Sequence, residues 1–395
     1  MSAGTPTAPD LVVVGAGIVG LGAALAARRA GLEVLVVERD AEPLGASVRN
    51  FGHLCFTPQS GSARRYAARS RERWLELAHD AGLPVARRGT LVPARHDDEL
   101  ALLEAFARHR AAEPDVFGTE PEVELLDARE AAERLPVPAE RLAGGARLPY
   151  DLQTDPRRAA PALRRRLIEL GVGFRLRTAV GAVRATPTGV RVETSRGPID
   201  AGRAIVAVNH DIDRLFPDVA ERIGIERCAL DMLRVTVALR RELDAPLLTG
   251  WSLVRYAGFA ALAEAAPVRE RLHAAEPLLA ALDVNLMATA APDGSILLGD
   301  THRRGPVATP FQAEAAFDAL LAAGAELFGA APTVLERWQG VYAAGPEEFL
   351  LEEPEPGVRL VAATTGIGMS CGLGLAEHAA TAETLDPAPR KDTTP

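Results

Sequence analysis

The first patterned stretch is a short apolar run, Leu11 to Val14, ended by glycine. Small residues at helical spacing follow from Val19 to Ala30, then a second apolar run, Leu32 to Val37. Short continuous apolar runs flanking a small-residue helix describe strands buried on both faces, so this opening reads as one β-α-β unit, with Gly31 capping its helix. Residues 43–61 (PLGASVRNFGHLCFTPQSG) break the pattern with glycine, serine and proline, and such a long connection points to a functional loop. Helical spacing returns from Gly61 to Gly82, and residues 85–150 mix short strands with charged helices. A helix over Asp155–Leu170 leads to strands at Gly173–Leu176, Gly189–Thr194 and Ala204–Val208. The segments LRVTVAL, WSLVRYAGF, VNLMATA and SILLGD alternate as strands do and predict a separate antiparallel sheet. A helix is expected over Pro310–Phe328. One more buried strand, Val358–Ala362, enters the turn Thr364–Gly374 and a terminal helix to about Leu385, leaving 386–395 as a disordered tail.

Composition narrows the class. At 395 residues the chain has room for two or three domains, and 48% hydrophobic with 25% charged residues is ordinary for a globular protein. A net charge of −9 gives no footprint for nucleic acid or anionic membranes, which leaves small molecules as partners. Leu11–Ala27 is uncharged but too short for a membrane span, and no basic segment precedes it as in a signal peptide. Three scattered cysteines, Cys55, Cys228 and Cys371, form no disulfide or zinc pattern and suit small buried hydrophobes in a reducing cytoplasm. Lys391 is the single lysine, so nearly every basic residue is arginine.

The chemistry starts at Gly15-Ala16-Gly17-Ile18-Val19-Gly20, a GxGxxG set between a strand and a helix. Gly15 allows the tight turn, Gly17 lets a pyrophosphate approach the backbone, and Gly20 brings helix and strand together. The helix N-terminus adds positive dipole. Glu38, 18 residues beyond Gly20, ends the second strand where a carboxylate accepts the hydroxyls of a ribose. FAD and NAD both use this fingerprint. A nicotinamide dehydrogenase usually continues at once with further βα units, whereas this chain leaves into the 43–61 loop. A second glycine-rich turn, Thr365 to Gly372, returns near the C-terminus and aims N–H groups at a cofactor.

In GAGIVG, Glu38-Arg39, the loop Gly45 to His53, Asp155-Pro156-Arg157, the strand pair around Val180 and the ending GIGMSCGLGLAE, the chain resembles FAD-dependent oxidoreductases of the D-amino-acid oxidase, glycine oxidase and sarcosine oxidase type. Within them SVRNFG, LRVTV, SLVRY, GDTHRRG and RWQGVY are similar to a subgroup associated with phosphonate breakdown, whose members oxidise 2-aminoethylphosphonate or its N-methyl derivative. The resemblance implies an α+β protein. Its Rossmann-like FAD domain, of the glutathione-reductase type, would be assembled from 10–85, 150–212 and 340–385, with a substrate domain of mixed or antiparallel sheet from 86–149 and 213–339. It implies FAD contacts at Ile18, Val19, Glu38, Arg39, Ala46, Ser47, Arg49, Asn50, Phe51, Gly52, His53 and Val180, the last through its backbone. The turn Gly366, Ile367, Gly368, Met369, Ser370 and Gly372 completes the set.

Departures from the family bear on substrate and acceptor. Glycine oxidases carry a carboxylate-clamping arginine where Tyr342 stands, and sarcosine oxidases a flavin-linking cysteine where Gly340 falls, so FAD is expected to be non-covalent. The lysine that promotes reaction with oxygen in those oxidases has no counterpart, since Lys391 lies in the tail; the acceptor is O2 or another carrier. Hydride transfer from an amine to flavin N5, followed by imine hydrolysis, requires a neutral amine, a C–H aimed at the flavin and an anchor for the acidic end. Candidate anchors are Arg255, His302, Arg303 and Arg337; His53, Tyr256 and Tyr342 are candidates beside the reacting centre. No metal is expected, because Asp300 and His302 lack a third ligand at a helpful spacing. Three other readings stay open: a glycine, sarcosine or D-amino-acid oxidase, an electron-relay subunit of a heteromeric complex, and a nicotinamide dehydrogenase.

Overall fold

A computed structural model describes residues 8–382; the predicted tail 386–395 and the last turn of the terminal helix lie outside the described residues. The opening unit forms as its pattern dictates: strand β1 (Leu11–Val14), helix α1 (Ile18–Arg29) and strand β2 (Val34–Val37), the strands parallel and in register from Leu11–Val34 to Val14–Val37. Their residues are buried on both faces, as uninterrupted apolar runs require.

Two further parallel strands, Arg203–Val206 beside β1 and Gly173–Arg175 beside β2, continue this layer, and Val358–Thr365 pairs parallel with Arg203–Val206. Segments far apart in sequence thus build one nucleotide-type sheet. Helix α1 packs on the C-terminal helix Gly368–Thr381, which in turn packs on the helix Gly61–Ala81.

The expected separate antiparallel sheet is not separate. The 23-residue strand Thr333–Glu355 pairs antiparallel with Glu226–Thr236 along its first half and with Val358–Thr365 along its second, with register shifts in both ladders. At about 3.3 Å per residue one such strand is long enough to serve both halves, and the bulges bend it between them. A single 14-stranded mixed sheet results. Around it the buried apolar residues collect in three clusters. The largest is drawn mainly from 91–148 and 228–344, the others from 11–37, 54–83, 152–220 and 350–380.

Two local expectations give way to tertiary structure. WSLVRYAGF alternates like a strand but forms two helical turns, Gly250–Leu253 and Ala257–Ala260; Thr249 and Ser252 cap the first, and their hydroxyls are fixed by the Leu286 carbonyl (2.8 Å) and Asn285 Oδ1 (2.7 Å) from a distant segment. The helix expected from Pro310 starts only at Glu314. No helix among the described residues is long and apolar enough to cross a membrane.

Candidate functional site

A cavity of about 640 Å³ runs from the glycine turn after β1 to the wall formed by the antiparallel strands, within the usual size of small-molecule sites. Its near end is Gly15, Gly17, Ile18, Val19, Glu38 and Arg39. Gly15 takes φ +103°, and a Cβ there would sit 2.6 Å from the Ala207 carbonyl oxygen, so only glycine makes this turn. Helix α1 has no side-chain cap at Gly17, which leaves first-turn N–H groups and dipole facing the cavity. Among them Ile18 N–H is taken, donating to Ser47 Oγ at 2.9 Å. The Glu38 carboxylate is fixed at the end of β2 by N–H groups of Ala16 (2.8 Å) and Asp40 (3.0 Å). Arg39 pairs with Asp211 at 2.6 Å, and Thr178, Val180 and Asn209 complete this end.

The middle of the cavity is lined by Ala46, Ser47, Arg49, Asn50, Phe51 and His53 from the loop, and by Gly366 to Ser370 opposite. The helix Gly368–Thr381 starts there, again without a side-chain cap. Loop and helix are tied together: Cys55 N–H donates to Ser370 Oγ (3.0 Å) and Trp74 Nε1 donates to the Met369 carbonyl (3.1 Å). Two uncapped helix starts, a glycine turn that admits no side chain and a carboxylate held at the end of the second strand make a cradle that fits a dinucleotide.

The far end is where the candidate chemistry gathers. His53 is buried; its Nε2 lies 2.6 Å from Thr90 Oγ1, and Thr90 donates to Asp151 Oδ2 at 2.7 Å. Because the Thr90 hydrogen is committed to Asp151, Thr90 accepts from His53 Nε2–H, which leaves Nδ1 as an acceptor with no partner among the described residues. His53, Cys55 and Asp151 bring ligand-type atoms within 4.8 Å of one another. The other Asp151 oxygen, however, already accepts N–H groups of Phe56 and Thr57, so the cluster is a hydrogen-bonded support.

Arg255, Tyr256, Tyr342, Asp300 and His302 meet around the same end with Asn285 and Met287. Burial pushes both phenols above their ordinary range, so Tyr256 and Tyr342 are donors and not bases. Tyr256 O–H is directed at Met287 Sδ, 3.5 Å away. Burial opposes the charge of Arg255, yet Asp283, Tyr342 and Asp300 hold its pKa above the usual value, and one guanidinium nitrogen donates to Asp283 Oδ1 at 2.6 Å.

Some expected residues fall elsewhere. Arg303 turns from the cavity toward Asp231, 3.4 Å away. Arg337, on the long strand, lies over the Phe317 ring and pairs with Glu314 at 2.7 Å. Both are consumed by structural contacts, as arginines spread over a fold usually are. His302 reaches the cavity, but burial and then Arg255 push its pKa well below the usual imidazole value, and Nδ1–H donates to the Asp283 carbonyl (2.9 Å). It is a neutral acceptor, unsuited to anchoring an anion. Gly20, Gly52 and Gly372 stand behind the wall. At Gly52 φ is +68° and a Cβ would meet Thr154 O at 2.0 Å, so it shapes the loop rather than touching a ligand. Asn285, Met287 and Asn209 were not singled out by any sequence signal; nothing in their spacing sets them apart.

Fold and cavity together define a dinucleotide-binding flavoprotein with a roofed substrate site. The chain matches the family described as DAO, FAD dependent oxidoreductase, over residues 10–382, and belongs to it; its cofactor is FAD, and it is an FAD-dependent oxidoreductase. Its fold is similar to that of L-proline dehydrogenase from P. horikoshii (20% identical, 95% of this chain and 93% of that one covered, TM-score 0.75). It is also similar to glycine oxidase from Geobacillus kaustophilus (18% identical, 94% of each, TM-score 0.72). In sequence it is 25% identical over 236 residues to a subunit of the opine oxidase of Rhizobium meliloti, covering 58% of this chain and 63% of that relative.

Proposed function

We propose that this protein oxidises a small primary or secondary amine carrying an acidic group, with an aminoalkylphosphonate such as 2-aminoethylphosphonate or its N-methyl derivative as the first substrate class. The observation that supports this is Arg255, a charged guanidinium at the far end of the cavity, where Tyr342 replaces the arginine of glycine oxidases. Bound FAD supplies the hydride acceptor. The chain supplies the rest. Arg255 keeps N–H donors beyond those given to Asp283, enough for a two-point grip on a phosphonate or carboxylate. Tyr256 and Tyr342 add neutral donors, while Phe51, Leu230, Met232 and Met287 keep water from the reacting carbon. The contacts expected at Gly15, Gly17 to Val19, Glu38, Arg39, Ala46, Ser47, 49–51, His53, Val180 and 366–370 hold the cofactor in this reading. The division into a cofactor part (10–85, 150–212, 340–385) and a substrate part (86–149, 213–339) belongs to the same proposal, as does a cytoplasmic setting for three free cysteines.

The test is anaerobic bleaching of the flavin by 2-aminoethylphosphonate, N-methyl-2-aminoethylphosphonate, glycine, sarcosine and D-alanine. Bleaching by the phosphonates alone supports the proposal, and bleaching by the carboxylates alone replaces it with the amino-acid oxidase reading. The relative named as an oxidase subunit favours a second reading, in which this chain relays electrons within a heteromeric complex. That reading expects no bleaching by any amine until a partner chain is added.

A further inference from the structure

The far wall of the cavity holds a carboxyl that no structural role explains. Asp300 follows the strand Ile296–Gly299 and lines the cavity, yet it is only 5% exposed. Its backbone is clamped to Asn285 in both directions: Asp300 N–H donates to the Asn285 carbonyl (2.8 Å) and Asn285 N–H donates to the Asp300 carbonyl (2.9 Å). The main chain is therefore fixed on both sides of this side chain. Its Oδ1 is shut off from solvent and has no hydrogen-bond partner among the described residues. Buried carboxylates usually carry such a partner, since leaving one unmet is costly.

The neighbours make the site specific. His302 Nε2, a lone-pair acceptor because Nδ1–H is given to the Asp283 carbonyl, lies 3.9 Å from Asp300 Oδ1. This patch of wall thus presents acceptors and calls for a donor. Arg255 faces it from the Gly250–Ala260 turns, Asp283 from the segment before Asn285, and Asp231 from the strand Glu226–Thr236. Tyr256, Tyr342 and Cys228 also border it, all held in their neutral forms by burial. A guanidinium for the acid and an acceptor patch for the nitrogen are the two ends of an amino acid or an aminophosphonate.

We propose that Asp300 is the proton acceptor for the substrate, taking a proton from the incoming ammonium so that the nitrogen is neutral when its neighbouring C–H is oxidised. The inference rests on the amine-oxidation reading above. In this step an N–H bond of R–NH3+ breaks and its electron pair stays on nitrogen. An O–H bond forms on the Asp300 carboxylate, giving R–NH2 and a neutral carboxylic acid with no oxidant involved. The ammonium and carboxylate charges cancel within the pair, which suits a wall without solvent. Burial holds the Asp300 pKa up at about 7, despite the opposing charge of Arg255. The group is thus ionised and able to accept above that pH while remaining a stronger base than an exposed aspartate.

The experiment uses the FAD-loaded protein and Asp300→Asn, which keeps shape and removes the basic oxygen. Visible flavin absorption first shows that the variant holds its cofactor. Anaerobic reduction by the amine is then followed against pH. Wild type should lose kcat/KM as pH falls through about 7. In Asp300→Asn that limb should move up toward the pKa of the free ammonium, roughly 10, with a drop of about 10²-fold near neutrality. A second measurement avoids turnover. α-Aminoisobutyrate or its phosphonate counterpart has no C–H to lose, and at about pH 8 its binding should release no proton from wild type and close to one from the variant, read with an indicator dye. An unchanged limb, or equal proton release from both proteins, overturns the assignment of Asp300. Wild-type flavin reduced by no amine overturns the amine reading itself, and the Asp300 proposal falls with it; this result is distinct from the first because it appears in the unmutated protein.

Discussion

Replacing Arg255 by methionine tests the grip on the acidic end of the substrate, and it also removes the charge that opposes the raised pKa of Asp300. The methionine keeps most of the apolar stem but removes the charge. Hydrogen bonds to charged groups contribute about 1.5–3 kcal/mol each, and a two-point grip on the substrate acid therefore contributes on the order of 3–6 kcal/mol. That corresponds to roughly 10²- to 10⁴-fold in kcat/KM. The cost to the fold is far smaller. The partner left behind, Asp283, has a side chain 47% exposed, so loss of this pair removes no more than about 1 kcal/mol. The assay is anaerobic flavin reduction by the acidic amine, with apparent Kd and limiting rate measured separately, alongside thermal unfolding. The expected outcome is a large rise in Kd with flavin content retained. Arg337→Met is the matched control, since Arg337 sits outside the cavity against Phe317 and Glu314; its kinetics should stay at the wild-type values. Arg255→Met binding the acidic amine as tightly as wild type would refute the anion anchor, as would loss of affinity only in proportion to lost flavin.

Three other outcomes follow from the same structure. Gly15→Ala forces a Cβ toward Ala207 O at 2.6 Å and a left-handed backbone on alanine, a strain of about 1–2 kcal/mol before the contact is counted; the purified variant should be colourless, by its flavin absorption compared with wild type. Thr90→Val takes away the hydroxyl between His53 and Asp151, leaving a buried carboxylate oxygen short of a donor; unfolding in urea should show a loss of about 1–3 kcal/mol, and an unchanged midpoint would argue against the support role. Asp300, pushed up to about 7 in the folded chain, keeps its proton between about pH 4 and 7 where the unfolded chain loses it, so stability falls as pH rises through that window. The full effect is on the order of 4 kcal/mol, and Asp300→Asn should be the more stable protein at pH 8 and not at pH 4, measured by thermal unfolding across pH.

The cradle was legible because its logic is local. Gly15, Gly17 and Ile18 follow a strand and open a helix within one unit, and Glu38 ends the next strand, so spacing alone brings them to one end of the cavity. The loop 43–61 and the turn 365–372 stood out by their glycines, while the residues expected to line the cavity within them came from the family resemblance. The substrate end was only half legible. Arg255, Tyr256, Tyr342 and His302 could be named by residue type, but no local signal separated Arg255 from Arg303 or Arg337. In the chain all three are arginines near strand-like segments. In the fold one reaches the cavity while the others are held by Asp231 and by Glu314 with Phe317.

What the sequence determined by itself, then, is what short-range geometry determines: the β-α-β start, the dinucleotide turn and the family. Only the tertiary structure decided the rest. The WSLVRYAGF segment turned helical where the Thr249 and Ser252 hydroxyls are held by Leu286 and Asn285, the two sheets became one because a 23-residue strand bridges them, and Asp300 became a buried carboxyl whose Oδ1 has no hydrogen-bond partner among the described residues. Charge state and reach depend on which neighbours long-range packing supplies, and those neighbours come from segments dozens to hundreds of residues away.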